Sequence, residues 1–290
     1  MVEKKRGKRM INKVIDELEK RGYKAETKVI SKDGIEKSGI IIGEGTIRPI
    51  IYPSFKDGAS VNDIVDETIE SYKQFERSKN FNFNLRHVMS WDYAKDHLTL
   101  CLRRKTTENI LKQDFLDLEM CVRVLLPEDR RNPFRHYSVS SYVVKPGFFP
   151  DIEEEEIFNR AFQNLKKDAM VNDMVKIMMG TGLSMELIQS MGLIPAIPMI
   201  VISNKTKFYG ASAICDTEIL SGLARDYESN LLIIPSSIHE CIVIPINQLD
   251  MEVEEATEIV KAVNTTEVPE EEILSDHVYI FNRETSKITW

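Results

Sequence analysis

The sequence has little that would mark a secreted, metal-binding or membrane-spanning protein. The longest apolar run, residues 192–202, contains two prolines and is too short to cross a bilayer, and no apolar signal segment precedes the first helix. The four cysteines form no C-x-x-C pair, so neither a zinc site nor a disulfide framework is indicated. They are Cys101, Cys121, Cys215 and Cys241. Thiols beside apolar residues imply a reducing compartment, so we predict a cytoplasmic protein. Without a long apolar run or a recognised ligand motif, we also predict no membrane association, no metal and no cofactor.

Basic charge is also scarce. The 290 residues include 38 lysines and arginines against 46 aspartates and glutamates, a formal net charge of −8. Nucleic-acid binding depends on clustered cations that neutralise phosphates, so this balance argues against a nucleic-acid partner. Residues 4–9 form one basic patch, which we interpret as a solvated tail. Weak nucleic-acid binding through this tail stays open as an alternative.

The first part of the chain predicts two helices around a small sheet. Apolar residues at helical spacing mark a helix over residues 10–21. Three short strands joined by tight turns follow at residues 24–30, 38–42 and 46–52, and together they predict an antiparallel meander. A second helix runs from Val61 to Ser78, again with an apolar face.

The middle of the chain predicts further strands and then helices. We place strands at residues 98–102, 115–126 and 136–145, each rich in apolar or β-branched residues. Six methionines lie between Met170 and Met191, in a stretch that we interpret as short helices. Because methionine packs adaptably, this stripe is interpreted as core rather than as a ligand surface.

The last third has the clearest pattern. Strands, a helix and two more strands predict a ββαββ unit, followed by a covering helix over residues 253–263 and a terminal hairpin. The unit consists of residues 198–203, 208–214, 217–225, 231–234 and 240–246. Hairpins alternating with helices favour an α+β fold with antiparallel sheets and flanking helices. We therefore predict an N-terminal half over 1–145, a helical connection over 146–195 and a C-terminal half over 196–290.

Five segments form a combined pattern: residues 47–52, 115–118, 209–213, 234–240 and 274–279, the fourth being Ile-Pro-Ser-Ser-Ile-His-Glu. On these segments the chain resembles an uncharacterised family, a domain of unknown function common in anaerobic Gram-positive gut bacteria. The similarity spans nearly the whole chain. The resemblance implies a bacterial, intracellular α+β protein and assigns no catalytic residue. It also implies an association with mobile elements.

The strongest candidate for chemistry lies in the fourth of these segments. Ser236, Ser237, His239 and Glu240 combine hydroxyls, an imidazole and a carboxylate, the groups of nucleophilic and general base catalysis, and a thiol follows at Cys241. Successive strand residues point to opposite faces, so Ser237 and His239 can share a face while Glu240 diverges. The other interpretation is structural, with the serines satisfying backbone groups of a turn.

Three residues of the other matching segments are candidate binding residues: Tyr209, Asp276 and His277. A metal site that joins His239 and Glu240 to Asp276 and His277 has no recognised ligand spacing, and we predict none.

The function that these observations favour is a non-enzymatic binding or adaptor protein. It would act through a protein surface or a small-ligand cleft, with an unknown protein or small ligand as partner, and edge strands leave oligomerisation open. The alternative is a hydrolase or transferase that uses Ser237 or Cys241 with His239.

Overall fold

The computed structural model describes residues 2–32, 35–44, 48–53, 59–78, 85–126 and 141–290. Side chains are described for residues 10–30, 38–44, 48–53, 59–76, 86–126 and 141–290. The chain divides into two compact units, one formed by the described residues before 85 and the other by those from 85 onward. This boundary falls inside the segment 1–145 that the sequence predicts as an N-terminal half.

The first unit contains two helices and a three-stranded antiparallel sheet in the order β1-β2-β3. Its elements are α1 (Val2–Lys20), β1 (Ala25–Lys32), β2 (Ile35–Ile42), β3 (Ile50–Ile51) and α2 (Val61–Ser78). The apolar faces of both helices meet the sheet in one core that includes Val14, Leu18, Ile40 and Ile64. The predicted meander and both helices are confirmed. The helix begins earlier than the predicted residue 10, and residues 4–9 belong to α1, so their interpretation as a tail is wrong. Their side chains lie outside the described part.

The start of α2 shows why the helix begins where it does. The Asp63 N–H donates to Ser60 Oγ at 3.2 Å, and the Ser60 N–H donates to Asp63 Oδ2 at 2.8 Å. This reciprocal pair is a capping box, which satisfies donors that a helix N-terminus leaves without intrahelical partners.

The second unit opens with short helices and a four-stranded antiparallel sheet. In it, β6 pairs with β4 along one edge and with β5 and then β7 along the other. The elements are α3 (Leu85–Val88), α4 (Trp91–His97), β4 (Leu98–Arg104), β5 (Lys112–Phe115), β6 (Leu118–Leu125) and β7 (Ser141–Val143). The single strand predicted over 115–126 is wrong at its start. Leu116 has a φ of 56° and begins the turn of a hairpin. Of the strand predicted over 136–145, residues 136–140 lie outside the described residues.

The rest of the second unit surrounds a six-stranded antiparallel sheet in the order β13-β12-β10-β11-β9-β8. The helices are α5 (Glu154–Asp168), α6 (Met174–Gly180), α7 (Met185–Ser190), α8 (Thr217–Asp226) and α9 (Val253–Thr266), with 3-10 helices at Gly210–Cys215 and Ile246–Gln248. The strands are β8 (Ala169–Asp173), β9 (Ile200–Asn204), β10 (Leu231–Ser237), β11 (Glu240–Pro245), β12 (Tyr279–Asn282) and β13 (Lys287–Thr289). The predicted α+β class, the C-terminal sheet and the terminal hairpin are confirmed.

One strand of the predicted ββαββ unit is absent at its expected place. Residues 210–215 form a 3-10 helix instead of the strand predicted over 208–214. Tyr209, which precedes that helix, has a φ of 57°, and such a left-handed residue cannot continue a strand. The second sheet gains β8 at its edge instead, in a region that the sequence predicts as helix.

The main core of the second unit lies between its two sheets and α8. It contains Leu102 and Leu118 from the smaller sheet and Ile202, Val243 and Phe281 from the larger one. Cys101 and Cys121 are directly opposite each other on β4 and β6, and both are buried. In the described part of the chain, we find no helix with the length and apolar character needed to span a membrane.

Candidate functional site

The predicted catalytic segment forms the connection between β10 and β11. The register of this hairpin is interrupted between Ile234 and Ser237, at Pro235, which has no N–H to donate to the ladder. Beyond the interruption, the Ser237 Oγ accepts a hydrogen bond from the backbone N–H of His239 at 3.0 Å. Ser237 and His239 are therefore joined through the backbone of the turn rather than through the imidazole.

The His239 ring is held by two neighbours. Its Nδ1 accepts the backbone N–H of Tyr209 at 3.3 Å, so the proton of the neutral ring resides on Nε2. Nε2 lies 3.8 Å from a carboxylate oxygen of Glu272. A ring whose Nδ1 already accepts a hydrogen bond cannot also receive the proton of a serine hydroxyl at that atom.

Three other elements fix the backbone of the same turn. Ser203 Oγ, at the end of β9, donates to the His239 carbonyl at 2.8 Å. The N–H of Ala211 donates to the Ile238 carbonyl at 3.4 Å, and the N–H of Ile238 donates to the Glu272 carbonyl at 2.9 Å. These bonds satisfy the polar groups of a half-buried loop, which is the structural role considered for this segment from sequence.

We expect His239 to be neutral at pH 7 and to resist protonation. Burial lowers its pKa below the ordinary 6.5, although the Glu272 carboxylate opposes this shift. Because the folded pKa is the lower one, the unfolded chain binds the proton first, and the stability that neutral His239 contributes is lost as the pH falls below about 6.5. An NMR titration of the imidazole signals, assigned with a His239→Gln variant, measures this pKa. A midpoint above that of a free histidine would contradict the expectation.

The remaining members of the predicted catalytic set differ in exposure. Ser236 and Glu240 are half-buried, whereas Cys241 is fully buried and its thiol faces the Ala211 carbonyl at 3.9 Å. Burial raises the pKa of Cys241 well above its ordinary range, and the nearby Cys215 and Glu240 raise it further. A protonated, inaccessible thiol is not a nucleophile. A catalytic role for Ser236, Ser237, His239 or Glu240 stays a prediction.

The three predicted binding residues lie in different surroundings. Tyr209 is buried, with the Arg123 guanidinium 5.0 Å from its ring centroid. Asp276 is exposed and accepts a hydrogen bond from the Asn264 side chain at 2.9 Å. The exposed ring of His277 packs 5.1 Å from the ring of Trp290. Their binding role stays a prediction.

Two segments that carry the family resemblance meet at Asp117. Its carboxylate accepts hydrogen bonds from Ser275 Oγ at 2.7 Å and from the Tyr279 hydroxyl at 2.8 Å. Burial raises the pKa of Tyr279, which keeps the hydroxyl protonated as a donor. The aspartate thus ties the β5–β6 turn to the chain before β12, and its role is structural.

A second polar cluster lies on the smaller sheet of the second unit. Arg103 and Glu119 are opposite each other on β4 and β6, and both are buried. Arg103 Nε donates to Glu119 Oε1 at 2.7 Å, and Lys112 Nζ lies 2.8 Å from Oε2. Burial works to raise the pKa of Glu119, but the bonds from Lys112, the Thr106 backbone and Arg103 outweigh burial and lower it. Glu108, whose carboxylate lies 2.8 Å from Arg103 Nη1, supplies the second negative charge, so two cations and two carboxylates balance and join β4 to β6.

A cleft of about 610 Å³ lies between α5 and this sheet. Its apolar lining includes Leu100, Met120 and Phe158, and its polar lining includes Gln113 and Asn159. This volume is in the range of small-ligand sites. In the described part of the chain, we find no group of three or more His, Cys, Asp and Glu side chains that could hold a metal ion.

The most unusual surface is formed by α6, α7 and the residues that follow them. No residue of α6 is buried, and in α7 only Ile188 is. Six large apolar side chains here are between 37% and 58% exposed, and we call them the helix-pair surface. They are Met179, Met185, Leu187, Met191, Leu193 and Ile194. The core role predicted for the methionines of residues 170–191 is therefore wrong for Met179, Met185 and Met191.

Local bonds fix the shape of this surface. The Asp173 side chain accepts the N–H of Val175 at 2.8 Å and caps α6. Ser184 Oγ accepts the N–H of Leu187 at 3.2 Å and caps α7. Gly180 and Gly182 indicate that α6 is short, but its nearly uninterrupted apolar sequence predicts burial rather than exposure. A helix of seven residues can pack only a small part of its surface against a core.

Comparisons with known proteins give a family and no function. The search of curated proteins and the search of solved structures each found no match. A model of a family of unknown function, DUF5688, matches residues 7–283. The match includes all five segments on which the resemblance rests and nearly all of both units. The chain belongs to this family of unknown function, DUF5688.

Proposed function

We propose that the protein is a non-enzymatic binding protein whose helix-pair surface docks a partner protein. The observation that carries the proposal is the exposure of six large apolar side chains on α6, α7 and the residues directly after α7. Soluble proteins rarely leave large apolar side chains clustered on the surface, and contiguous patches of this kind mark interaction sites.

The composition of the surface supports a protein partner. Half of its side chains are methionines, whose unbranched, polarisable chains adapt to differently shaped apolar groups. Full burial of an exposed side chain of this size contributes about 1.5–3 kcal/mol. Leu187 and Met191 are about half exposed, so each contributes part of that amount toward the cost of association. The matching ligand is the apolar face of an amphipathic segment, with side chains at helical spacing.

The test replaces two of these side chains by charges. We expect a Leu187→Asp, Met191→Asp double variant to lose the partner while it keeps its fold, because both side chains are exposed and neither fills the core. The protein and the variant serve as bait in extracts of the source cells. Proteins captured by the first alone are identified, purified and titrated against both baits by calorimetry.

A matched control is available on α9. Ile259 and Val263 are exposed to a similar extent, and an Ile259→Asp, Val263→Asp variant adds the same two charges to another helix. The proposal requires that this control keep the affinity of the unmodified protein for the purified partner. Equal affinity for the α7 variant and the control would contradict it, as would turnover that depends on Ser237 or His239.

The location of the protein belongs to the same proposal. A cytoplasmic protein of gut bacteria, carried on mobile elements, would meet its partner inside the cell. The thiols of Cys101, Cys121, Cys215 and Cys241 are compatible with that reducing compartment.

A further inference from the structure

We propose that a second copy of this chain pairs with the outer edge of β8, in antiparallel register about Val171. The larger sheet ends at β8, and within the described residues no strand pairs with its outer edge. An edge strand presents backbone N–H and C=O groups that a further strand can satisfy. The inference concerns the backbone of residues 169–173 and does not depend on the partner proposed for the helix-pair surface.

The two edges of this sheet differ in how well they are protected. β13 has three residues and begins with the exposed Lys287, and a short strand with a lysine discourages further pairing. β8 has five residues, contains no proline, lysine or arginine, and exposes Val171 at its centre. Natural edge strands that stay single carry protections of the kind seen in β13. β8 therefore has the character of a strand that is paired.

The charges near the two ends of β8 favour the antiparallel arrangement. Lys167 and Lys205 lie at its N-terminal end, where Lys205 Nζ donates to the Lys167 carbonyl at 2.7 Å and pairs with the Asp168 carboxylate at 3.1 Å. Asp168 offsets the charge of Lys205, so among the described residues Lys167 supplies the unmatched positive charge at this end. Asp173 lies at its C-terminal end and is exposed. A two-fold axis through Val171 places Asp173 of one copy opposite Ala169 of the other and diagonal to its Lys167, at both ends of the pair.

The same axis places residue 171 opposite itself, which gives a specific test. Each chain's Val171 is the direct cross-strand neighbour of the other copy's Val171, and β-branched pairs stabilise such positions. A charge at residue 171 would face an identical charge in a homodimer and an opposite charge in a suitable mixed dimer. A dimer built on any other surface or register would not respond in this way.

The experiment is sedimentation equilibrium of the full chain and of two variants, Val171→Lys and Val171→Glu. We expect the unmodified protein to dimerise and each variant alone to do so at least about tenfold more weakly, because like charges lie opposite each other. A one-to-one mixture of the two variants is expected to recover dimers. Val263→Lys, which adds a charge to the exposed face of α9, should dimerise as the unmodified chain does.

Two outcomes would overturn the inference. One is a monomeric unmodified chain at its highest soluble concentration. The other is a dimer whose stability does not change with the charge at residue 171, which would locate the interface elsewhere. Neither outcome tests the partner proposed for the helix-pair surface, because Leu187 and Met191 lie outside β8 and their substitution leaves that strand unchanged.

Discussion

Replacing Glu119 by leucine is expected to lower the free energy of unfolding by about 3–5 kcal/mol, the range for removing one partner of a buried ion pair. The leucine leaves the Arg103 guanidinium buried without its nearest carboxylate. Glu108, whose carboxylate lies 2.8 Å from Arg103 Nη1, is more exposed and compensates only in part. Urea unfolding followed by circular dichroism measures the loss.

A double variant separates the ion pair from the shape of the side chains. Arg103→Met with Glu119→Leu removes both charges and keeps apolar volume between β4 and β6. We expect it to be more stable than Glu119→Leu alone, since well-packed apolar groups can replace a buried pair at little cost. If the double variant were less stable than Glu119→Leu and Arg103→Met taken singly, the unpaired charge of Arg103 would not explain the destabilisation by Glu119→Leu.

Replacing Gly210 by alanine is expected to destabilise the second unit by about 3 kcal/mol or more, because the added methyl group has no space. A Cβ at this position would lie 2.6 Å from the His239 carbonyl oxygen and 2.7 Å from the Asn204 nitrogen, and it would also collide with Ser203 Oγ. Two of these three atoms are backbone atoms and cannot rotate away. The variant should therefore also disturb the turn that holds His239.

Gly222 provides the matched control on α8. A Cβ there meets nothing within 4 Å, so Gly222→Ala is expected to raise stability by up to about 1 kcal/mol, the difference between the two residues in a helix. Thermal and urea unfolding of both variants compare them directly. If both substitutions lowered stability to a similar extent, the cause would be the loss of glycine's backbone freedom. Crowding of the new methyl group against β9 would then not explain the effect at residue 210.

Local signals were enough to predict the first unit. Apolar residues at helical spacing give α1 and α2, and alternation between tight turns gives the three-stranded meander. Each of these elements depends on residues close together in sequence, so the local pattern of apolar and turn residues is enough to predict it. The terminal hairpin of β12 and β13 was predictable for the same reason.

Long-range contacts explain the errors. Residues 208–214 have strand-like composition, but the close approach of Gly210 to β9 and to the His239 carbonyl requires a compact turn there. No residue pattern within 208–214 indicates that Gly210 lies so close to these distant parts of the chain. The exposure of α6 and α7 was missed in a similar way, because methionine content indicates apolar character and not which neighbours are present.

The candidate site was predictable in its residues and not in its geometry. Ser237 and His239 are neighbours in a turn, as the sequence indicates, yet the long-range partners of His239 are Tyr209, Ser203 and Glu272. Those partners lie about 30 or more residues from His239 along the chain. Types of side chain can be read from sequence, whereas the direction in which each one donates or accepts depends on the complete fold.

The strand order of the larger sheet also determines when the second unit can finish folding. β10 pairs with its sequence neighbour β11 on one edge, but its other edge stays unpaired until β12 has been synthesised. Asp117 likewise lacks its hydrogen bond from the Tyr279 hydroxyl until then. Pairings between residues this far apart form late and slow the folding of a domain. During synthesis, β10 would therefore leave the ribosome with an open edge until residues 279–282 follow, and this interval is when the nascent chain is most exposed to aggregation.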